Sequence, residues 1–190
     1  MKRKSQGSVL MKVGIFYGSQ TGNCEDLCSQ VKKEIGECEI YNISDVSSDN
    51  FEEYDLIILA TSTWGSGDLQ DDWEMQLDEV KNANLDQKFV PFIGVGDQKG
   101  YGDTFCDGVG IIYDAIQGKA FNHIGLWPSE GYEFDNSEAF RNGQFLGLIL
   151  DVENQDDLSE GRIKSWVKQL HQEMNPLSKT QINEARAELR

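Results

Sequence analysis

Residues 18–24 read Gly-Ser-Gln-Thr-Gly-Asn-Cys and follow directly on the apolar run Val13–Tyr17. A strand that empties into a loop of glycine and small hydroxyl residues, with a helix starting at once, aims backbone N–H groups at one point. The positive end of a helix dipole points the same way. That is a place to hold a phosphate. The loop has no Lys or Arg, so it is not a Walker A loop, which needs Gly-Lys-Ser/Thr to reach a triphosphate and its metal. It suits a monoester phosphate held by amides and by the side chains of Ser19, Thr21 and Asn23. The same seven residues also fit an ordinary strand–turn–helix.

Two further segments carry chemistry. Residues 61–73 read Thr-Ser-Thr-Trp-Gly-Ser-Gly-Asp-Leu-Gln-Asp-Asp-Trp. Trp64 stands between a buried strand and two glycines, where a planar aromatic can stack on a flat ring; it also fits a cap on the edge of the core. Trp73, on the following helix, reads as core. In residues 96–103, Gly-Asp-Gln-Lys-Gly-Tyr-Gly-Asp, Tyr101 is flanked by glycines. Alone it is a surface Tyr. Paired with Trp64 it can sandwich a ring whose phosphate tail reaches residues 18–24.

The elements that must position these loops alternate. Residues 13–17, 39–43, 56–60 and 89–95 read as strands, and residues 120–127 begin a fifth. Helical spacing runs through residues 22–35, 71–81, 104–117 and 157–173. Such alternation implies a parallel sheet with helices on both faces. Ligands in such sheets bind beyond the carboxyl ends of the strands, where strand order reverses. Residues 128–146 interrupt the scheme, so the fifth strand reads as an edge strand split by an inserted loop. Residues 12–173 are expected to form one domain, with residues 1–11 an extension or a tag and residues 174–190 a tail with helical spacing.

The balance of 17 Lys and Arg against 33 Asp and Glu gives a net charge of −16. That repels nucleic acid and anionic membrane and favours basic partners. The four cysteines form no Cys-x-x-Cys, and the two histidines are far apart, so no structural metal site is expected. No apolar run has the length of a signal or spanning segment. The cytoplasm is the expected compartment, with the cysteines as reduced thiols.

Taken in order and spacing, these segments resemble the flavodoxins over residues 12–173. The matching stretches are 18–23, 63–65 with 68–73, 96–101, Trp-Pro-Ser-Glu-Gly-Tyr at 127–132, Gly-Leu-Ile-Leu-Asp at 147–151 and Arg-Ile-Lys-Ser-Trp at 162–166. The insertion points to the long-chain type. The resemblance implies a flavodoxin-like, doubly wound five-stranded parallel sheet of order 2-1-3-4-5 in a three-layer α/β/α arrangement. It implies one noncovalent FMN and no metal. Carried over residue by residue, the FMN site comprises Ser19, Gln20, Thr21, Gly22, Asn23 and Cys24 around the phosphate. Ser62, Thr63, Trp64, Gly65, Ser66 and Gly67, with Gly96, Asp97, Tyr101, Cys106 and Asp107, surround the ring. Family members usually have Thr at the position of Cys24 and tend to have Pro at that of Ser62. A thiol donates a poorer hydrogen bond, so a weaker phosphate grip is expected, together with a freer second loop.

The implied function is low-potential one-electron transfer, not catalysis. Asp68, Asp97, Asp103 and Asp107 disfavour the anionic two-electron-reduced flavin, and the family's peptide flip after the Trp falls here on Gly65–Ser66, where Gly tolerates it. The neutral semiquinone is thereby favoured. The implied partners are an NADPH-dependent flavodoxin/ferredoxin reductase and other redox proteins with basic faces, met transiently by a monomer through the acids at 68, 71, 72, 74, 78 and 79. An NAD(P)H–quinone reductase or nitroreductase needs a second substrate pocket and a basic group near the loops. A response-regulator-like domain needs an acidic pair after the first strand, which residues 18–21 lack.

Overall fold

The computed structural model describes residues 11–175. Of the segments read above as an extension (residues 1–11) and a tail (174–190), residues 1–10 and 176–190 lie outside the described residues. Five strands form one parallel sheet. β1 (Val13–Tyr17) is buried along its whole length, as an uninterrupted apolar strand covered on both faces must be. α1 (Asn23–Ile35) returns over one face and stops at Gly36, whose φ of 95° no side-chain-bearing residue adopts cheaply. β2 (Glu39–Asn42) is exposed to half-buried and forms one edge. α2 (Ser48–Glu52) is a short helix that the apolar spacing does not announce. Its local signal is Ser47 with Asn50: the Ser47 N–H donates to Asn50 Oδ1 at 2.8 Å.

β3 (Leu56–Trp64) is longer than the run 56–60, because its end pairs antiparallel with β4 (Asp68–Leu69) through Thr63↔Leu69 and Trp64↔Asp68. α3 (Asp71–Asn82) follows, its N-terminus capped by the Gln70 side chain, which accepts from the Trp73 N–H. β5 (Phe92–Val95) starts three residues later than the apolar run suggests; Pro91 has no N–H to add to the ladder, and Phe89 only bridges Leu56 and Asn122. α4 (Asp107–Ile116) also starts three residues late, since Cys106 is left-handed at φ 59° and Phe105 is extended.

The edge strand is split. Its first part survives only as two isolated bridges, Phe89↔Asn122 and Trp127↔Phe145, and residues 120–127 do not form the strand their apolar run suggests. Gly125, at φ 77°, turns the chain there. Inside the insertion, β6 (Phe140–Arg141) and β7 (Gln144–Phe145) form a hairpin across Asn142-Gly143. Both turn residues have positive φ, the reason an Asn-Gly pair favours a two-residue hairpin. Phe134, Phe140 and Phe145 cluster beneath it with ring centroids 5.2–5.5 Å apart. β8 (Gly147–Leu150) then completes the edge against β5, and α5 (Val152–Met174) closes the fold, kinked at Gln155.

Strand order is β2-β1-β3-β5-β8, all parallel. With β5 and β8 as the fourth and fifth main strands, this is the expected 2-1-3-4-5. Period-two alternation sends Ile15, Ile58, Ile93 and Leu148 to one face, against Leu27 and Val31 of α1 and Ile163, Trp166 and Leu170 of α5. Phe16, Ile57, Leu59, Phe92 and Ile149 face the other way, against Trp73 and Val80 of α3 and Val109, Ile112 and Ile116 of α4. The result is three layers. Trp73 is fully buried, and its Nε1–H donates to the Ala60 carbonyl at 2.8 Å, locking α3 to β3. Truncating such a residue to Ala costs about 3–5 kcal/mol.

Candidate functional site

The loop after β1 is drawn against α3. The Gly18 N–H donates to the Ala60 carbonyl at 3.2 Å, and a Cβ at Gly18 would stand 2.1 Å from Gln70 Oε1. Only glycine fits. The Gly22 N–H donates to Ser19 Oγ at 3.1 Å, and Gln20 Nε2 donates to Asp71 Oδ2 at 2.6 Å. Gly22 stands at the N-cap of α1, and no side chain caps the helix. The first-turn N–H groups of α1 therefore keep their hydrogen-bonding capacity, at the positive end of the dipole.

Cys24 departs from expectation. Its side chain is 1% exposed and packs in the core with Leu27, Cys28 and Val31. The spacing 24, 27, 28, 31 is one helical face, and that face is the buried one. The Cys28 thiol is pushed well up by its hydrogen bond with Cys24 and by burial. The Cys24 side chain is thus part of the core, and its backbone N–H belongs to the first turn of α1.

The loop after β3 is a tight turn in which the Gly67 N–H donates to the Trp64 carbonyl at 3.1 Å. Gly65 has φ 52°, and a Cβ there would lie 2.6 Å from Asp68 Oδ2. The Trp64 indole is 36% exposed, and its Nε1–H donates to Ser62 Oγ at 3.0 Å. The freer loop expected from Ser62 thus acquires a hydrogen bond in place of a ring. Thr63 Oγ1 accepts from the Gly108 N–H at 2.9 Å, joining this loop to the first turn of α4.

The loop after β5 is held from behind. Asp97 Oδ1 accepts from the N–H groups of Lys99 (3.0 Å) and Gly100 (2.8 Å) and from Asn154 Nδ2 (2.7 Å). The Gly100 N–H first, then Asn154, holds the Asp97 carboxyl below the usual carboxylate range. The fully buried Asp151 carboxylate caps α5 through the Asn154 N–H and accepts from the Gln98 N–H at 3.1 Å. Gln98 Oε1 accepts from the Glu133 N–H of the insertion at 2.6 Å. Gln98, Asp151 and Asn154 were not singled out as site residues in the sequence; apart from the local Asp151–Asn154 cap, the contacts that tie them to the loop and the insertion span 35 to 57 residues.

A cleft of about 360 Å³ opens between the second and third loops, lined by Gly65, Ser66, residues 98–104 and Asp135. Tyr101 stands on it, 58% exposed. Cys106 lies beneath the third loop, its sulfur 2.7 Å from where a Cβ on Gly96 would sit. Burial pushes that thiol well up. Asp107 is 7% exposed; burial raises its carboxyl, while the Glu138 N–H it accepts from at 2.7 Å opposes the rise. Asp68 and Asp103 are exposed on the same side. The structure thus brings residues 18–22, 62–67, 96–101 and 107 to the carboxyl ends of β1, β3 and β5, and turns the thiols of Cys24 and Cys106 into the core. Among the described residues no group of three or more His, Cys, Asp and Glu is placed to hold a metal, and no helix is long and apolar enough to cross a membrane.

The flavodoxin sequence profile matches residues 15–166. Flavodoxin of Synechocystis sp. is 41% identical over 164 residues, covering 85% of this chain and 96% of that protein. Flavodoxin 2 of Escherichia coli is 41% identical over 168 residues, covering 86% and 97%. The crystal structure of Fusobacterium nucleatum flavodoxin bound to flavin mononucleotide aligns with a TM-score of 0.82 at 26% identity, over 87% of this chain and 100% of that one. With a doubly wound sheet of the same order and three loops gathered at its switch point, this chain belongs to the flavodoxin family.

Proposed function

We propose that the chain is a long-chain flavodoxin: a monomeric, cytoplasmic one-electron carrier that holds FMN noncovalently and exchanges electrons with an NADPH-dependent reductase and with acceptor proteins. One observation carries the reading. The uncapped N-terminus of α1, the exposed Trp64 and the cleft on which Tyr101 stands all lie on the loops that leave the carboxyl ends of β1, β3 and β5. The donor set fits the group: amides and small hydroxyls for a phosphate monoester, and aromatic faces for a flat ring.

In this reading Ser19, Gln20, Thr21, Gly22 and Asn23, with the Cys24 N–H, hold the phosphate. Trp64 and Tyr101 cover the ring faces and keep water off them. Gly65 and Ser66 supply the peptide that reorients with redox state, with Gly67, Gly96 and Asp97 at the ring's polar edge. Bound FMN supplies one-electron chemistry at a potential set by its surroundings. Asp68, Asp97, Asp103 and Asp107 crowd that site with negative charge, which makes added electrons costly and the reduced protein a strong donor. The exposed acids of the β4–α3 face, Glu74 and Asp78 among them, orient it on basic partners.

The test is direct. Acid extraction releases FMN, identified by mass, and dithionite reduces the protein in two separated one-electron steps. FAD, a flavin that stays with the polypeptide, or steady-state turnover with NAD(P)H alone overturns the proposal.

A further inference from the structure

We infer that Ser62 is a positioning residue: its hydroxyl fixes the plane of Trp64, the exposed aromatic at the turn of residues 65–67. The inference rests on reading Trp64 as an aromatic face of the flavin site. Residues 62 and 64 lie two apart at the end of β3, and residues two apart in a strand point to the same side. The Ser62 hydroxyl is thus carried to the indole by the strand itself. It accepts the Nε1–H at 3.0 Å.

The other three tryptophans show what is distinctive about this pair. Trp73 and Trp166 donate to the backbone carbonyls of Ala60 and Gly125, and Trp127 donates to the Tyr132 hydroxyl. Trp73 and Trp166 are fully buried, so packing alone holds their rings. Trp64 is 36% exposed and closes the strand just before a glycine turn. Little packing restrains its ring. A side-chain hydrogen bond from its own strand limits rotation about the Cα–Cβ and Cβ–Cγ bonds without covering the ring face that a ligand would use. At position 62, Ser and Thr carry an acceptor within reach; Ala does not.

The test compares wild type, Ser62→Ala and Ser62→Thr in the flavin-free and flavin-loaded protein. In the flavin-free protein, the Trp64 indole N–H resonance is identified by its loss in Trp64→Phe. It is expected to shift and to exchange with solvent at least about tenfold faster in Ser62→Ala, with the wild-type position and rate restored in Ser62→Thr. In the loaded protein, Ser62→Ala is expected to bind FMN about two- to tenfold more weakly, the range of one neutral hydrogen bond, and to shift the second reduction step. Thr again restores both. An indole signal unchanged in Ser62→Ala overturns the hydrogen bond. A changed signal with unaltered FMN affinity and potentials overturns the positioning role. Wild type that binds no FMN overturns the proposed function instead, and the indole measurement still decides the hydrogen bond.

Discussion

Gln20 Nε2 donates to Asp71 Oδ2 across 2.6 Å and ties the loop after β1 to the first turn of α3. The brace is exposed, so its net worth is about 0.5–1 kcal/mol. It acts on the phosphate end of the site. Asp71→Ala is expected to weaken FMN binding about two- to fivefold and leave riboflavin binding unchanged, measured by calorimetry with both ligands. Equal losses for the two ligands would mean that the contact does not shape the phosphate loop.

Trp64→Ala and Tyr101→Ala each remove an exposed aromatic face from the proposed ring site. Each loses about 1 kcal/mol or more of stacking, which is about fivefold in FMN affinity, and raises the second reduction potential by admitting water. Fluorescence titration and spectroelectrochemistry read both effects. Unchanged values in both variants refute the sandwich.

The buried position of Cys24 changes what its replacement by Thr does. A hydroxyl set among Leu27, Cys28 and Val31 has lost water without gaining a designed partner, so Cys24→Thr is expected to cost about 1–3 kcal/mol of stability. The ratio of FMN to riboflavin affinity should hold constant. Denaturant titration and the two binding constants check the pair of outcomes; a rise in that ratio would put the side chain at the phosphate.

Asp97 and Asp107 are expected to titrate on opposite sides of the usual carboxylate value, and carboxyl carbon NMR reads each directly. Asp107 is held up by burial, so the folded state binds its proton more tightly than the unfolded chain does. Its contribution to stability therefore falls as pH rises through the window just above the usual value. Asp107→Asn, which keeps an acceptor for the Glu138 N–H, should raise Tm at pH 7, with the gain vanishing in acid. Asp97 is held down by the Gly100 N–H and Asn154. Its contribution is present above the usual value and is lost as pH falls through the depressed one. A Tm for Asp107→Asn below wild type at pH 7 contradicts the sign.

Asp71, Asp72 and Asp78 are engaged by Gln20, Gln70 and Lys81, which leaves the exposed Glu74 as the better probe of partner steering. Glu74→Lys is expected to slow reduction by a basic reductase about threefold at low salt and hardly at all at 0.5 M, measured by stopped flow. The flavin spectrum should not change. A rate insensitive to salt and to reversal shows that this face is only solvated surface.

Much of this was legible because it is local. The unbroken run at β1, the spacing of Leu27 and Val31, and the composition of the three loops each follow from a few neighbouring residues. The inward turn of Cys24 was missed: the resemblance put its thiol at the phosphate, whereas its spacing to Leu27, Cys28 and Val31 puts it on the buried face. What could not be read depends on distant partners: the hold of the Asp151 carboxylate on Gln98, and the bracing of Gln20 by Asp71. The late start of α4 depends on one left-handed residue, Cys106, a conformation that composition does not announce.

The split edge has a consequence for how the chain comes to be made. β5 is wholly buried, yet its outer side is paired only by β8, about fifty residues later in the sequence. A polypeptide emerging in order has four of its five parallel strands available before the last exists. Until Gly147–Leu150 arrives, Phe92–Val95 is a bare apolar edge, the kind of surface that recruits other chains. Chains truncated within the insertion are thus expected to aggregate rather than fold.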